Sequence, residues 1–171
     1  MRVTRRAGLG LSLLAWLVGV PLAHGVVPWL ISWLTPRYGW SEAGAGVWNW
    51  LGVIPIAVGA ALLVWVMATH FRRSSELPQE VELDWKPKVF LARGPYALSR
   101  NPMYVAELAL WLGWAQLFGS PAVLAGALVL AVLMNRVIRR EEAALAAEFG
   151  DEYRVYRAAV PRWLGASTRT E

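Results

Sequence analysis

Arg100-Asn101-Pro102-Met103-Tyr104, an apolar run through Phe118, Gly119-Ser120-Pro121, a second apolar run to Val137 and then Arg139-Arg140-Glu141-Glu142 decide the fold of this chain. Met103 to Phe118 and Pro121 to Val137 are each short for a membrane span, and Gly-Ser-Pro between them is a turn signal. The pair reads as an antiparallel helical hairpin dipping across a membrane. Ionised side chains are costly in hydrocarbon, so charges set tightly against the ends of apolar helices place a polar site at the bilayer surface.

Two further apolar runs precede the hairpin. Leu9 to Leu34 follows Arg2, Arg5 and Arg6. It is too long for a signal-peptide core and lacks a small-residue cleavage site, so it reads as a spanning helix, kinked at Pro21 or ending near Pro28. Val47 to Thr69 has the roughly 20 residues needed to cross the hydrocarbon. Pro55 and Gly59 are tolerated there because neighbouring helices re-satisfy freed carbonyls. Beyond the hairpin, Arg136 to Arg157 turns amphipathic, with Ile138, Leu145 and Phe149 at helical spacing, and is expected to lie on the membrane surface. The polar insertion Phe71 to Ala92 alternates Glu76, Glu80, Glu82 and Asp84 with Val81, Leu83 and Trp85. That pattern fits a short strand or, preferably, a linker touching lipid headgroups.

The expected fold is all-α: a polytopic membrane helical bundle of about four spans, with a C-terminal helical hairpin and an amphipathic cytoplasmic helix. One domain covers residues 1–171, with two N-terminal spans in 1–70, a cytoplasmic loop over 71–92 and a motif-bearing region over 93–162. Composition agrees, since 57% of residues are hydrophobic and 11 are tryptophan, more than a soluble core of this size requires. The net charge of +5 would also suit nucleic acid. The placement of charge favours the membrane, and no nucleic-acid partner is expected. Of the 17 lysines and arginines, all but Arg37 fall on one side of a four-span topology. The positive-inside rule then puts both termini and the 71–92 loop in the cytoplasm, consistent with an inner-membrane protein. With no cysteine and only His24 and His70, thiolate and histidine-rich metal sites are excluded and no metal is expected. Carboxylate, arginine, tyrosine and amide chemistry remain.

Pro102 suits a first helical position and Asn101 the N-cap before it. Alone, the turn reads as a capped helix start with a headgroup-binding arginine. Its functional reading is an anion site, with free N–H groups beside Arg100. Glu141 and Glu142 are adjacent and cannot face the same way on a helix, so one is expected inside the bundle and the other in solvent. The alternative for Glu142 is a weak i, i+3 pair with Arg139. Glu107, one or two turns inside the third helix, must face protein or water. Tyr104, Tyr153, Tyr156, Trp111 and Trp114 permit an aromatic cage for a cation. Interfacial belts favour the same residues, and the tryptophans are assigned to a belt. Tyr104 is taken as functional, and His70 as an interfacial residue.

Val89 to Tyr104, followed by Glu141-Glu142, Phe149-Gly150, Tyr153, Tyr156 and Val160-Pro161, resembles the central and paired-glutamate motifs of the isoprenylcysteine carboxyl methyltransferase and phospholipid methyltransferase family. These are integral membrane enzymes that use S-adenosylmethionine. The resemblance covers the C-terminal part of the chain, and the first two helices match nothing in particular. It implies methyl transfer to a lipophilic acceptor, an isoprenylcysteine-like carboxylate or a lipid headgroup, in contact with membrane lipid. It implies Arg100 and Glu142 as catalytic residues and Gly94, Pro95, Tyr96, Asn101, Pro102, Tyr104 and Glu141 as cofactor-binding, with Glu107 and Trp111 toward the substrate. Histidine usually stands between Arg100 and Pro102 in the family. Asn101 keeps a hydrogen-bond donor but cannot become cationic, which bears on the substrate more than on the cofactor. Two alternatives stay open: an NADPH-dependent sterol-reductase-like enzyme, suggested by Glu107 and Trp111, and a non-catalytic membrane scaffold of the same fold.

Overall fold

In a computed structural model, residues 2–73, 80–82 and 90–165 are described. Strand β1 (Arg2–Thr4) leads into α1 (Arg5–Leu14), π-helical turns Ala15–Gly19 and Leu22–Val26, and α2 (Val27–Ile31). Strands β2 (Trp40–Ser41) and β3 (Gly44–Ala45) form a small hairpin. It precedes α3 (Val47–Trp50) and α4 (Val53–Arg73). Strand β4 (Glu80–Glu82), a 3-10 turn (Gly94–Ala97), α5 (Pro102–Phe118) and α6 (Pro121–Ala159) complete the order. The molecule is a helical membrane bundle, as its sequence requires.

Among the described residues, three stretches are long and apolar enough to cross a membrane: Gly8–Ile31, Val47–Arg73 and Pro121–Ala159. Helix α5, with 17 residues, rises about 26 Å at 1.5 Å per residue, close to the roughly 30 Å hydrocarbon core. It is the central helix and packs on both α4 and α6. Small residues let α5 approach α4 closely. A Cβ on Gly59 would stand 2.7 Å from the Ala106 carbonyl oxygen, and one on Gly113 would stand 2.7 Å from that of Gly52. Close backbone approach of this kind is how apolar helices associate where lipid removes the hydrophobic drive between them.

Neither Pro21 nor Pro28 ends the first helix. The chain stays helical through Pro21, flanked by π turns, and continues past Pro28 to Ile31. Pro28 has no N–H for the carbonyl of His24 four residues back, and the Trp114 indole supplies a donor instead, 2.6 Å from that oxygen. The hairpin turn is as expected. Gly119 caps α5 in the left-handed region, φ 56°, and the Ser120 hydroxyl accepts from the Val123 N–H to start α6.

Three expectations are corrected. Arg136 to Arg157 is not a separate surface helix. Ala-, Leu-, Glu- and Arg-rich sequence propagates α6 without a break until Gly150, whose φ of 49° and ψ of −118° make the kink. Trp111 and Trp114 form no interfacial belt. Trp111 packs with Ala115, Val123 and Ala127, and Trp114 stacks on Phe118. In the insertion, Glu76, Leu83, Asp84 and Trp85 lie outside the described residues, as does Val89 of the central motif. Glu80–Glu82, however, is a strand rather than a linker, pairing antiparallel with β1.

That pairing brings the start of α1 to the same end of the bundle as the segment between α4 and α5. At the opposite end, the Tyr38 N–H donates to the Gly119 carbonyl at 3.0 Å. There the Asn49 amide also reaches the carbonyls of Tyr38, Gln116 and Leu117, tying the two loops together.

Candidate functional site

Gly94, at φ 64°, turns the chain into the short 3-10 helix. Pro95 is fully buried beneath it. These two residues do not line the cavity described below. They shape the turn that carries Tyr96 into it.

The Ser99-Arg100-Asn101 segment is clamped to the C-terminal tail by backbone and side-chain bonds. The Arg100 N–H donates to the Pro161 carbonyl at 2.9 Å. The Ser99 hydroxyl donates to the Arg162 carbonyl at 3.1 Å and accepts the Asn101 N–H at 3.0 Å. Asn101 stands at the N-cap of α5 and Pro102 in its first turn, but the Asn101 side chain makes no capping bond. Its Nδ2 instead donates to the Arg162 carbonyl at 3.1 Å and to Glu142 Oε1 at 3.5 Å. An amide nitrogen carries two hydrogens and can serve both acceptors, whereas a single imidazole nitrogen offers at most one.

This clamp puts Glu142 at the centre of a charged cluster. Only 6% of Glu142 is exposed. Arg162 grips it with both arms, Nε to Oε1 at 3.1 Å and Nη2 to Oε2 at 2.6 Å. That fork is the strong bidentate arrangement of guanidinium and carboxylate. Arg100 Nη1 lies 3.4 Å from Oε1. The carboxylate in turn holds Arg162 above the usual arginine pKa through its hydrogen bonds. Glu142 therefore pairs with Arg100 and Arg162, and Arg139, the alternative partner, is exposed. Glu141 points elsewhere, accepting the Tyr104 hydroxyl at 2.9 Å. The two glutamates do diverge, but both carboxylates belong to one cavity.

That cavity, about 270 Å³, is lined by Arg100, Asn101, Pro102, Tyr104, Glu141 and Glu142 together with His70, Phe90, Tyr96, Tyr153 and Tyr156. Its size lies just under the usual small-molecule range of about 300–1,000 Å³. Phe90 stacks on Phe149 and meets Tyr153 and Tyr156 edge-on. The Tyr156 hydroxyl donates to the Tyr96 carbonyl at 2.8 Å. Burial is the main cause that pushes the Tyr96 phenol well above its ordinary pKa, with the Glu141 charge adding to it, so this hydroxyl remains a donor. Arg100 Nε is buried without a hydrogen-bond partner, and Nη1, though ion-paired with Glu142, makes no hydrogen bond of good geometry. An unmatched buried donor on a cationic side chain suits an anionic ligand group.

Glu107 and Trp111 do not line the cavity. They sit deeper on α5 and engage His24 of the first helix. The Trp111 indole donates to His24 Nδ1 at 3.1 Å, and His24 Nε2 lies 3.6 Å from Glu107 Oε1. A donor on Nδ1 requires the lone pair there, which leaves the ring hydrogen on Nε2, facing the carboxylate. Sequence spacing gave no sign of this trio, because Trp111 and His24 are 87 residues apart. It missed Arg162 and His70 as well. The arginine follows Val160-Pro161 and was legible only as part of a tail, and the histidine ends α4 with no motif around it.

Comparison with sequence families matches residues 47–152 to the family described as phospholipid methyltransferase. An uncharacterized protein of Haemophilus influenzae is 38% identical over 63 residues, which is 36% of this chain and 100% of that protein. No solved structure matches the chain.

Proposed function

Because the chain belongs to the phospholipid methyltransferase family, we propose that it transfers a methyl group from S-adenosylmethionine to a lipophilic acceptor at the membrane surface. The observation that carries this reading is the cavity at one end of the bundle, where Arg100 has a buried Nε with no hydrogen-bond partner beside an Arg162–Glu142 fork. The donor set fits the proposed cofactor. Arg100 offers N–H groups to a carboxylate, while Glu141 and the ring faces of Tyr104, Tyr153 and Tyr156 suit an ammonium and a sulfonium cation. S-adenosylmethionine supplies an electrophilic methyl group.

The chain's own residues orient and enclose. Glu142 fixes Arg100 and Arg162 relative to one another, Asn101 and Ser99 hold the tail against the start of α5, and Tyr104 aims Glu141. Placement contributes more to such a displacement than acid strength, since correct orientation alone is worth about 7–11 kcal/mol of barrier. In this account Arg100 and Glu142 are the catalytic pair, with Tyr96, Asn101, Pro102, Tyr104 and Glu141 at the cofactor, and Gly94 and Pro95 support the turn. The cavity end faces the cytoplasm of an inner membrane, with both termini on that side and four spans in all.

The reductase reading is weakened because Glu107 and Trp111, which suggested it, are occupied with His24 away from the cavity. Calorimetry in detergent tests the proposal. Saturable binding of S-adenosylmethionine or its demethylated product, with no heat from NADPH, is expected. Saturable NADPH binding with silence from both methyl-cycle ligands would overturn it.

A further inference from the structure

His70, at the end of α4, is a titratable group in the cavity wall that the charged cluster does not use. Its Nδ1 lies 3.0 Å from the Val66 carbonyl. A carbonyl can only accept, so Nδ1 carries the ring hydrogen and Nε2 presents its lone pair. Nε2 is 3.4 Å from the Tyr96 hydroxyl, whose ring meets the imidazole edge-on. That is a long bond, easily exchanged for a better one.

Three of the four carboxylate oxygens in the cavity are more firmly engaged. Both Glu142 oxygens are held by Arg162, and Glu141 Oε1 accepts from Tyr104 at 2.9 Å. His70 is also exposed at its outer edge, so a proton collected there has a route to water.

We propose that His70 Nε2 takes the proton that the methyl acceptor loses when it reacts as an ammonium or a thiol. The inference rests on the methyltransferase reading of the same cavity. An ammonium N–H or a thiol S–H bond of the acceptor breaks, its proton moves to Nε2 while the bond's electron pair stays on nitrogen or sulfur, and the ring becomes an imidazolium. The freed lone pair takes the methyl carbon as the sulfur–carbon bond breaks, and that bond's electron pair stays on sulfur. The imidazolium then releases its proton to water. The ionisable group at Nε2 is Tyr96 from the 3-10 turn; elsewhere in the cavity wall stand Arg100, Tyr104 from α5, and Glu141, Glu142, Tyr153 and Tyr156 from α6. Arg72 and Arg73 follow on its own helix.

Two measurements on full-length protein in detergent test this. The first needs no turnover: nitrogen NMR of labelled histidine, with His70 identified by its loss in His70→Gln. The hydrogen of the neutral ring is expected on Nδ1. A ring carrying it on Nε2 would overturn the proposal whether or not the protein methylates anything. The second follows methyl transfer to phosphatidylethanolamine vesicles and to dodecanethiol, with oleate as the carboxylate probe. His70→Gln should lower kcat on the amine or thiol by about 10²- to 10⁴-fold, the usual worth of a general base. It should remove the acid limb of the pH–rate profile and leave KM nearly unchanged. An unchanged rate and profile in His70→Gln, or transfer to oleate alone, would overturn the base while leaving the methyltransferase reading intact. Failure of the wild-type protein on every acceptor, with no binding of S-adenosylmethionine, would overturn the underlying reading instead.

Discussion

Glu142→Gln is the substitution that most sharply separates a buried charged centre from a solvated helix charge. Glutamine keeps the size and one acceptor oxygen but turns the second oxygen of the Arg162 fork into a donor. The 2.6 Å contact from Arg162 Nη2 to Oε2 then sets N–H against N–H, and Arg100, 3.4 Å from Oε1, loses its counter-charge. Removing one partner of a buried pair costs about 3–5 kcal/mol. Arg162 is 29% exposed at its side chain, so water relieves part of that, and the lower figure applies. A loss of about 3 kcal/mol corresponds to roughly 6–12 °C in Tm for a chain of this size. The assay is thermal unfolding in one detergent of wild type, Glu142→Gln, Glu141→Gln and Arg139→Gln. Glu141 has one partner, Tyr104, and should cost about 1 kcal/mol. Arg139 is exposed and should stay within about 0.5 kcal/mol. If all three variants fall within a degree or two of each other, the charged centre does not exist as described.

Arg100→Leu should abolish binding of S-adenosylmethionine, read by calorimetry, while the circular dichroism of the bundle is retained. Gly59→Ala should destabilise α4 against α5 by about 1–3 kcal/mol, because the new Cβ would stand 2.7 Å from the Ala106 carbonyl oxygen; detergent melting checks it. His24→Leu strands Glu107 without a partner and should lower Tm, and adding Glu107→Leu should restore part of the loss, a non-additivity that a double-mutant cycle reads directly. Reporter fusions after residues 40, 85, 120 and 171 should read outside, inside, outside and inside, and an external C-terminus would contradict the topology.

The helices were legible because apolar runs and punctuation coincide. Gly119-Ser120-Pro121 marked the hairpin, and the left-handed Gly119 cap with the Ser120 N-cap is what the structure contains. The end of α6 was not legible. The switch from apolar to amphipathic sequence at Arg136 looks like a boundary, yet nothing there breaks the helix, and the break falls at Gly150. Within the candidate site, the sequence showed that Glu141 and Glu142 diverge but not what each meets. Arg162 reaches Glu142 across 20 residues because the tail folds back onto Ser99 and Asn101. Trp111 and Trp114 were misplaced because tryptophan composition alone cannot distinguish a lipid interface from a helix interior. Their N–H groups needed acceptors, and the π-helical turn and Pro28 leave the His24 carbonyl available to one of them.

The most direct test of the central claim is methyl transfer itself. Purified protein, S-adenosylmethionine carrying a labelled methyl group and total membrane lipid are incubated together, and the label in the organic phase is followed for wild type and Arg100→Leu. The account predicts time-dependent lipid labelling by the wild type and none by the variant at equal folded protein. Labelling that survives Arg100→Leu undiminished would contradict the proposed site, and a wild-type protein that binds S-adenosylmethionine but labels no lipid would contradict the proposed acceptor class.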